Sequence, residues 1–153
     1  MKFYLAHTFG LSMMKVRKWQ LMMQGRYHIT FINPFFNNPY EKVEDFECVK
    51  SKAATKRYLK SLDMKTCKGI VENDLELIRK SDGVVAYFDS PSIGTCQEII
   101  MAAYVYRIPV YIITRHHRWH PWLRWLANAS GGQMFKTRSD FKKFVEQTWG
   151  KKE

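Results

Sequence analysis

Glu98 is the side chain of this sequence best placed to do chemistry. It follows the segment 89–94, DSPSIG, inside the stretch 82–114. A carboxylate in the first turn of a helix is held as the anion by the unbonded amides there, and an ionised carboxylate can act as a base or a nucleophile. Asp74 is a second carboxylate, flanked by Glu72 and Glu76. His116, His117 and His120 lie close together, yet no carboxylate or thiolate stands at a matching metal-ligand spacing. Residue type alone leaves two readings open. Glu98 is equally an acidic residue favouring a helix start, Asp74 part of a solvated helix face, and Ser92 a turn residue after Pro91.

The elements around Glu98 decide whether it can meet a ligand. Residues 84–88, VVAYF, form an apolar run too short for a helix and rich in β-branched and aromatic types, which predicts a buried strand. A loop follows over 89–94, then a helix over 95–106 with Ile99, Ile100, Ala103 and Tyr104 at helical spacing, then a strand over 109–113. Two parallel strands joined through one helix put the loop and the helix N-terminus at the carboxyl edge of the sheet, where α/β proteins bind ligands.

The remaining chain extends the same alternation. Residues 2–7 predict a first strand, Ser12 caps a helix to about residue 24 that Gly25 stops, and 27–32 predict a second strand running into a turn-rich segment after Asn33 and Pro34. Residues 41–64 are charged and mostly helical in composition, and 66–81 form a helix leading into the central strand. After it come a basic aromatic loop, a short helix over 121–128, a strand over 133–135 and a closing helix over 140–149. The pattern predicts one α/β domain, 1–153, a three-layer sandwich whose five parallel strands take flavodoxin-like order.

At 153 residues, 46% of them hydrophobic, the chain can bury one substantial core. No apolar run approaches the ~20 residues that span a bilayer, so the expectation is a soluble cytoplasmic protein with no membrane partner. Cys48, Cys67 and Cys96 are odd in number and widely spaced, which indicates neither a disulfide framework nor a zinc site. The net charge of +11 favours anionic partners without choosing among them. There is no GxGxxG after the first strand and no GxxxxGK[ST] anywhere, so the usual dinucleotide and triphosphate loops are missing.

Four motifs in order, YLA at 4–6, NPF at 33–35, ENDLELIRKSD at 72–82 and PSIGTCQE at 91–98, resemble the nucleoside 2-deoxyribosyltransferase family. The resemblance runs from Lys2 to about Phe141 and is concentrated between Glu72 and Val110. The loop with Ser92, Gly94 and Glu98 is closer to the 2′-deoxynucleoside 5′-monophosphate N-glycosidases of that superfamily.

The resemblance implies cleavage of an N-glycosidic bond, with deoxyribose passed to another base or to water. It assigns Glu98 as the nucleophile that traps the sugar covalently, Tyr4 as the hydroxyl orienting it, and Asp74 as the acidic group near the leaving base and sugar hydroxyls. Where free-nucleoside transferases carry an acidic residue this chain has Ser92. With the amides around Gly94 and Thr95 it can hold a 5′-phosphate that a carboxylate would repel. Phe35 and Phe36 are expected to wall the base pocket, with the 115–125 segment as a loop over it.

The resemblance also implies a residue supplied from a neighbouring subunit, Asn128 or Ser130, and hence a homodimer or larger homo-oligomer sharing its active sites. Trp122, Trp125 and Leu126 suit such a contact. No cofactor or metal is implied. The expected partner is a nucleoside or nucleotide. Nucleic acid is not, since the basic segment carries no recognised motif. The competing reading is a nucleotide-binding module on the same scaffold without turnover.

Overall fold

The structure is a computed structural model that describes residues 1–9, 13–37, 39–40, 50–89 and 92–153. Five strands, β1 (Lys2–His7), β2 (Thr30–Ile32), β3 (Gly83–Tyr87), β4 (Val110–Ile113) and β5 (Gln133–Phe135), form one sheet in the order β2-β1-β3-β4-β5. Every pairing is parallel, with Tyr4 opposite both Ile32 and Val84. This is the flavodoxin-like order expected from the alternation of elements.

The central strands are apolar on both faces because helices cover both. On one face Phe3, Leu5, Val85 and Tyr111 meet Val16, Trp19 and Met23 of α1 (Met13–Arg26) and Phe141 and Val145 of α7 (Arg138–Trp149). On the other, Tyr4, Ala6, Val84, Ala86 and Ile112 meet Ile78 of α4 (Met64–Arg79), Ile99 of α5 (Ile93–Ile100) and Leu123 and Leu126 of α6 (Pro121–Ala129). The register that buries Phe3 and Leu5 beneath α1 therefore turns Tyr4 towards α4 and α5. Two shorter helices, α2 (Pro34–Asn37) and α3 (Lys52–Ser61), and a π-helical turn over Met101–Val105 directly after α5 complete the described elements. Among the described residues no helix is long and apolar enough to cross a membrane.

Several boundaries differ from expectation for identifiable reasons. α1 runs through Gly25 to Arg26, since packing of Trp19 and Met23 outweighs the ~1 kcal/mol that a helical glycine costs. β2 starts at Thr30, and Tyr27 makes only an isolated antiparallel bridge to Lys151. The turn after Asn33 is one short helix, α2, held by bonds from the Phe36 and Asn37 amides to the Asn33 carbonyl. α7 starts at Arg138 because Thr137 and Asp140 form a reciprocal capping box. Ser12, Cys48 and residues 41–49 lie outside the described residues.

Candidate active site

The loop after β3 and the start of α5 differ most consequentially from the reading of the sequence. Ser92 is the N-cap of α5, its hydroxyl accepting from the Thr95 amide at 3.2 Å, so the helix begins at Ile93 rather than Thr95. Glu98 consequently lies in the second turn, beyond the unbonded N-terminal amides. The expectation of a first-turn carboxylate kept ionised by those amides is overturned. Instead the half-buried Glu98 carboxyl is pushed up to about 8, chiefly because burial strips water from its charged form.

Two neighbours act on it in opposite directions. The Tyr4 hydroxyl donates to Glu98 Oε1 at 2.6 Å, a bond that favours the carboxylate. The negative charge of Asp74, on the half-buried side of α4, disfavours it. The structure thus brings Tyr4, Asp74 and Glu98, from β1, α4 and α5, to one place. Beside Asp74, the Asn73 side-chain nitrogen is buried with no hydrogen-bond partner. Sequence reasoning passed over Asn73, and its place next to Asp74 was the only signal available.

At the start of α5 the hydroxyls of Ser92 and Thr95 are bonded to each other at 2.8 Å, and the Thr95 amide is taken by Ser92. The Thr95 side chain is turned inward, 1% exposed. The amides left without an intrahelical partner are those of Ile93 and Gly94. Gly94 is exposed, and a side chain there would meet nothing within 4 Å. An anion approaching this helix end would find backbone N–H groups and the positive end of the helix dipole.

Phe35 is buried on α2 against His7, ring centroids 4.8 Å apart, and against Phe9. Its position depends on a polar chain that the sequence did not suggest. His7 Nε2 lies 3.2 Å from Asn33 Oδ1, Asn33 Nδ2 donates to Gln20 Oε1 at 3.1 Å, and Asn33 Oδ1 accepts from the Phe35 amide. Burial lowers His7 to about 4, so its ring is neutral at physiological pH. Phe36 is half-buried, with the Arg17 guanidinium 4.3 Å above its ring.

Ser130 and Asn128 separate clearly. The Ser130 hydroxyl accepts from the Val110 amide and donates to the Ala127 carbonyl, tying α6 to β4. Asn128 is exposed. Trp122 and Trp125 are each 63% exposed, whereas Leu126 is buried. His117 and His120 line an apolar cavity of about 290 Å³ with Phe88, Cys96 and Trp122, on the α6 side of α5. The 115–125 segment therefore closes over Cys96 and Ile99 of α5, and Glu98 does not line that cavity. Among the described residues no group of three or more His, Cys, Asp or Glu is arranged to hold a metal ion.

The sheet order and the helices on both faces define a flavodoxin-like α/β protein in which Tyr4 of β1 is hydrogen-bonded to Glu98 of α5. Among solved structures of this fold it is similar to a 2-deoxyribosyltransferase from the psychrotolerant bacterium Bacillus psychrosaccharolyticus, at TM-score 0.63 and 17% identity over 93% of this chain and 90% of that one. It is also similar to the CMP N-glycosidase of Clostridium botulinum, at TM-score 0.54 and 13% identity over 96% of this chain and 98% of that one. At such identities the likeness is one of fold. No protein-family model matches the chain, and no curated protein matches it in sequence.

Proposed function

We propose that this protein cleaves the N-glycosidic bond of a 2′-deoxynucleoside or its 5′-monophosphate and passes the sugar to another base or to water. The observation that carries the proposal is the 2.6 Å bond from Tyr4 to Glu98, with the charge of Asp74 close enough to act on the same carboxyl. Two solved structures of this fold, a 2-deoxyribosyltransferase and a CMP N-glycosidase, support it.

In this reading Glu98 attacks the anomeric carbon as the carbon–nitrogen bond breaks, and the bonding pair leaves with the base. Glu98 must be ionised to attack, and the departing base needs a proton. The proton held on Glu98 in the free protein passes to Asp74 and from there to the base, so one proton serves both needs. Positive charge developing on the sugar favours the carboxylate as it forms. In the second step a base nitrogen or water attacks the same carbon as its proton passes to Asp74, and Glu98 departs as the carboxylate. Asn73 offers its unpartnered N–H to substrate, and Phe35 backs the pocket. The 5′-phosphate sits on the Ile93 and Gly94 amides, where Ser92 adds no negative charge.

A homo-oligomer completes the site, with Trp122 at the contact. Asn128 is the residue it offers, since the Ser130 hydroxyl is already engaged. The proton on resting Glu98 favours a second reading, a nucleotide-binding module without turnover. One experiment separates the two. The protein is incubated with each deoxynucleoside, each deoxynucleoside monophosphate and CMP, with and without a second free base, and products are resolved by chromatography. Base release that Glu98→Ala abolishes supports the enzyme. Binding without release in every case supports the module.

A further inference from the structure

The residues proposed for catalysis lie on β1, α4 and α5, whereas a groove lined by three cations lies elsewhere. A groove of about 650 Å³ between α6 and β5 is lined by Arg118, Trp119, Arg124, Trp125, Gln133 and Lys136 among others. No carboxylate lines it among the described residues. A few cations elsewhere have acidic partners, in Lys68–Glu72, Arg79 and Lys80 with Glu76, and Lys151–Glu146. Arg118, Arg124 and Lys136 take part in none of these pairs.

Flat apolar rings accompany the charge. Trp119 is 69% exposed, with the Arg118 guanidinium 4.7 Å and the Arg124 guanidinium 5.8 Å from its ring centre. Exposed indoles beside unpaired guanidinium groups match what a nucleobase and its phosphate require, a stacking face and a counter-charge. An acidic peptide would use the cations and leave the indoles idle. Arg118 lies before α6, Arg124 within it and Lys136 directly after β5, which suits several phosphates in succession rather than one.

We propose that this groove binds single-stranded nucleic acid, with bases stacked on Trp119 and Trp125 and the phosphates met by Arg118, Arg124 and Lys136. The site is distinct from the Tyr4–Glu98 pair. β5 is three strands from β1 in the sheet order, about 14 Å at ~4.8 Å per strand. Asn128, which the glycosidic reading offers to a neighbouring subunit, also lines this groove, but Trp119 and the three cations take no part in that reading.

The test is fluorescence anisotropy of a labelled twelve-residue oligothymidylate titrated with the full chain between 50 and 200 mM NaCl. Micromolar binding is expected, with log K falling against log salt at a slope of about −2 for three phosphate contacts. Trp119→Ala should weaken it roughly 5- to 100-fold, and Arg124→Ala should make the slope shallower by about 0.7. Both variants should melt within a few degrees of the parent and release base from mononucleotides at the parent rate. No binding at 50 mM NaCl overturns the proposal, as does binding that neither substitution alters. So does competition by thymidine monophosphate or polyglutamate equal to that of the oligonucleotide at matched charge concentration.

Discussion

Two influences on the Glu98 carboxyl oppose each other, and each can be removed by one substitution. The Tyr4 bond favours the anion and the Asp74 charge favours the acid, both superimposed on a larger effect of burial. Tyr4→Phe should therefore raise the Glu98 titration midpoint above about 8. The shift expected is about one to two pH units, from the roughly 1.5–3 kcal/mol carried by a hydrogen bond to a charged group. Asp74→Asn should lower the midpoint. Carboxyl carbon NMR, with the Glu98 signal assigned from Glu98→Gln, reads both shifts without requiring turnover. Shifts of the same sign in both variants would mean that the observed carboxyl is not governed by this pair. Where substrate is turned over, kcat/KM should fall as pH rises through the same midpoint, since the proton that Glu98 passes by way of Asp74 to the leaving base is then lost. Ser92→Asp should weaken use of monophosphates more than of free nucleosides, because a carboxylate beside the Ile93 and Gly94 amides repels phosphate. KM values for paired substrates check this. The sequence pointed to Tyr4, Asp74 and Glu98 through short motifs, and the fold brings the three together. It misjudged the sign of the Glu98 shift, because placing that residue in the first turn depended on a helix start two residues away.

At the level of elements, the junction of α6 with β5 shows how little room the fold leaves. Helix α6 ends with Gly131 in the left-handed region at φ 79°, its amide bonded to the Asn128 carbonyl and the Gly132 amide to the Ala127 carbonyl. A Cβ on Gly132 would fall 2.0 Å from the Val110 carbonyl oxygen, on backbone that cannot step aside without breaking the β4–β5 ladder. Gly132→Ala should cost more than ~3 kcal/mol in urea unfolding or leave the protein insoluble, whereas Gly131→Asn, which tolerates the left-handed region, should cost under ~1 kcal/mol. Comparable costs at the two positions would mean that the close approach is relieved at little expense. β1 and β5 were legible to the residue as apolar runs, and α6 nearly so from Pro121 and the following glycines. Helix starts were harder. From the sequence Ser92 reads as a loop residue, yet its side chain caps α5, and Asp140 reads as the start of α7, yet it is the N3 partner of Thr137. The π-helical turn over Met101–Val105, where the Tyr106 amide bonds to the Met101 carbonyl, has no periodic signature and was absorbed into one long helix.

Across the whole molecule, two buried titrating groups should give stability an unusual dependence on pH. His7 was invisible as such in the sequence, since a histidine ending a strand says nothing of burial, yet the polar chain through Asn33 and Gln20 encloses it. Both atoms facing its ring nitrogens, Thr8 O and Asn33 Oδ1, are acceptors, and the neutral ring has one N–H to give. With its folded value at about 4 and an unfolded value near 6.5, the unfolded chain binds the extra proton between those limits. Stability from His7 is thus intact above about pH 6.5 and falls by roughly 3 kcal/mol as pH drops through 4. Glu98 behaves oppositely. Its folded value of about 8 exceeds the unfolded 4.5, so the folded chain binds the extra proton and stability falls by a few kcal/mol as pH rises across that window. Thermal melting separates them. Glu98→Gln should melt close to the parent near pH 4.5 and progressively higher up to pH 8, by several degrees at about 2–4 °C per kcal/mol. His7→Gln, which loses ring packing, should melt lower at pH 7, with the deficit narrowing as pH falls to 4. A gap that stays constant with pH in either variant would show that the group is accessible to water in the folded chain. For Glu98, that result would also remove the proton that the proposed chemistry passes to the leaving base.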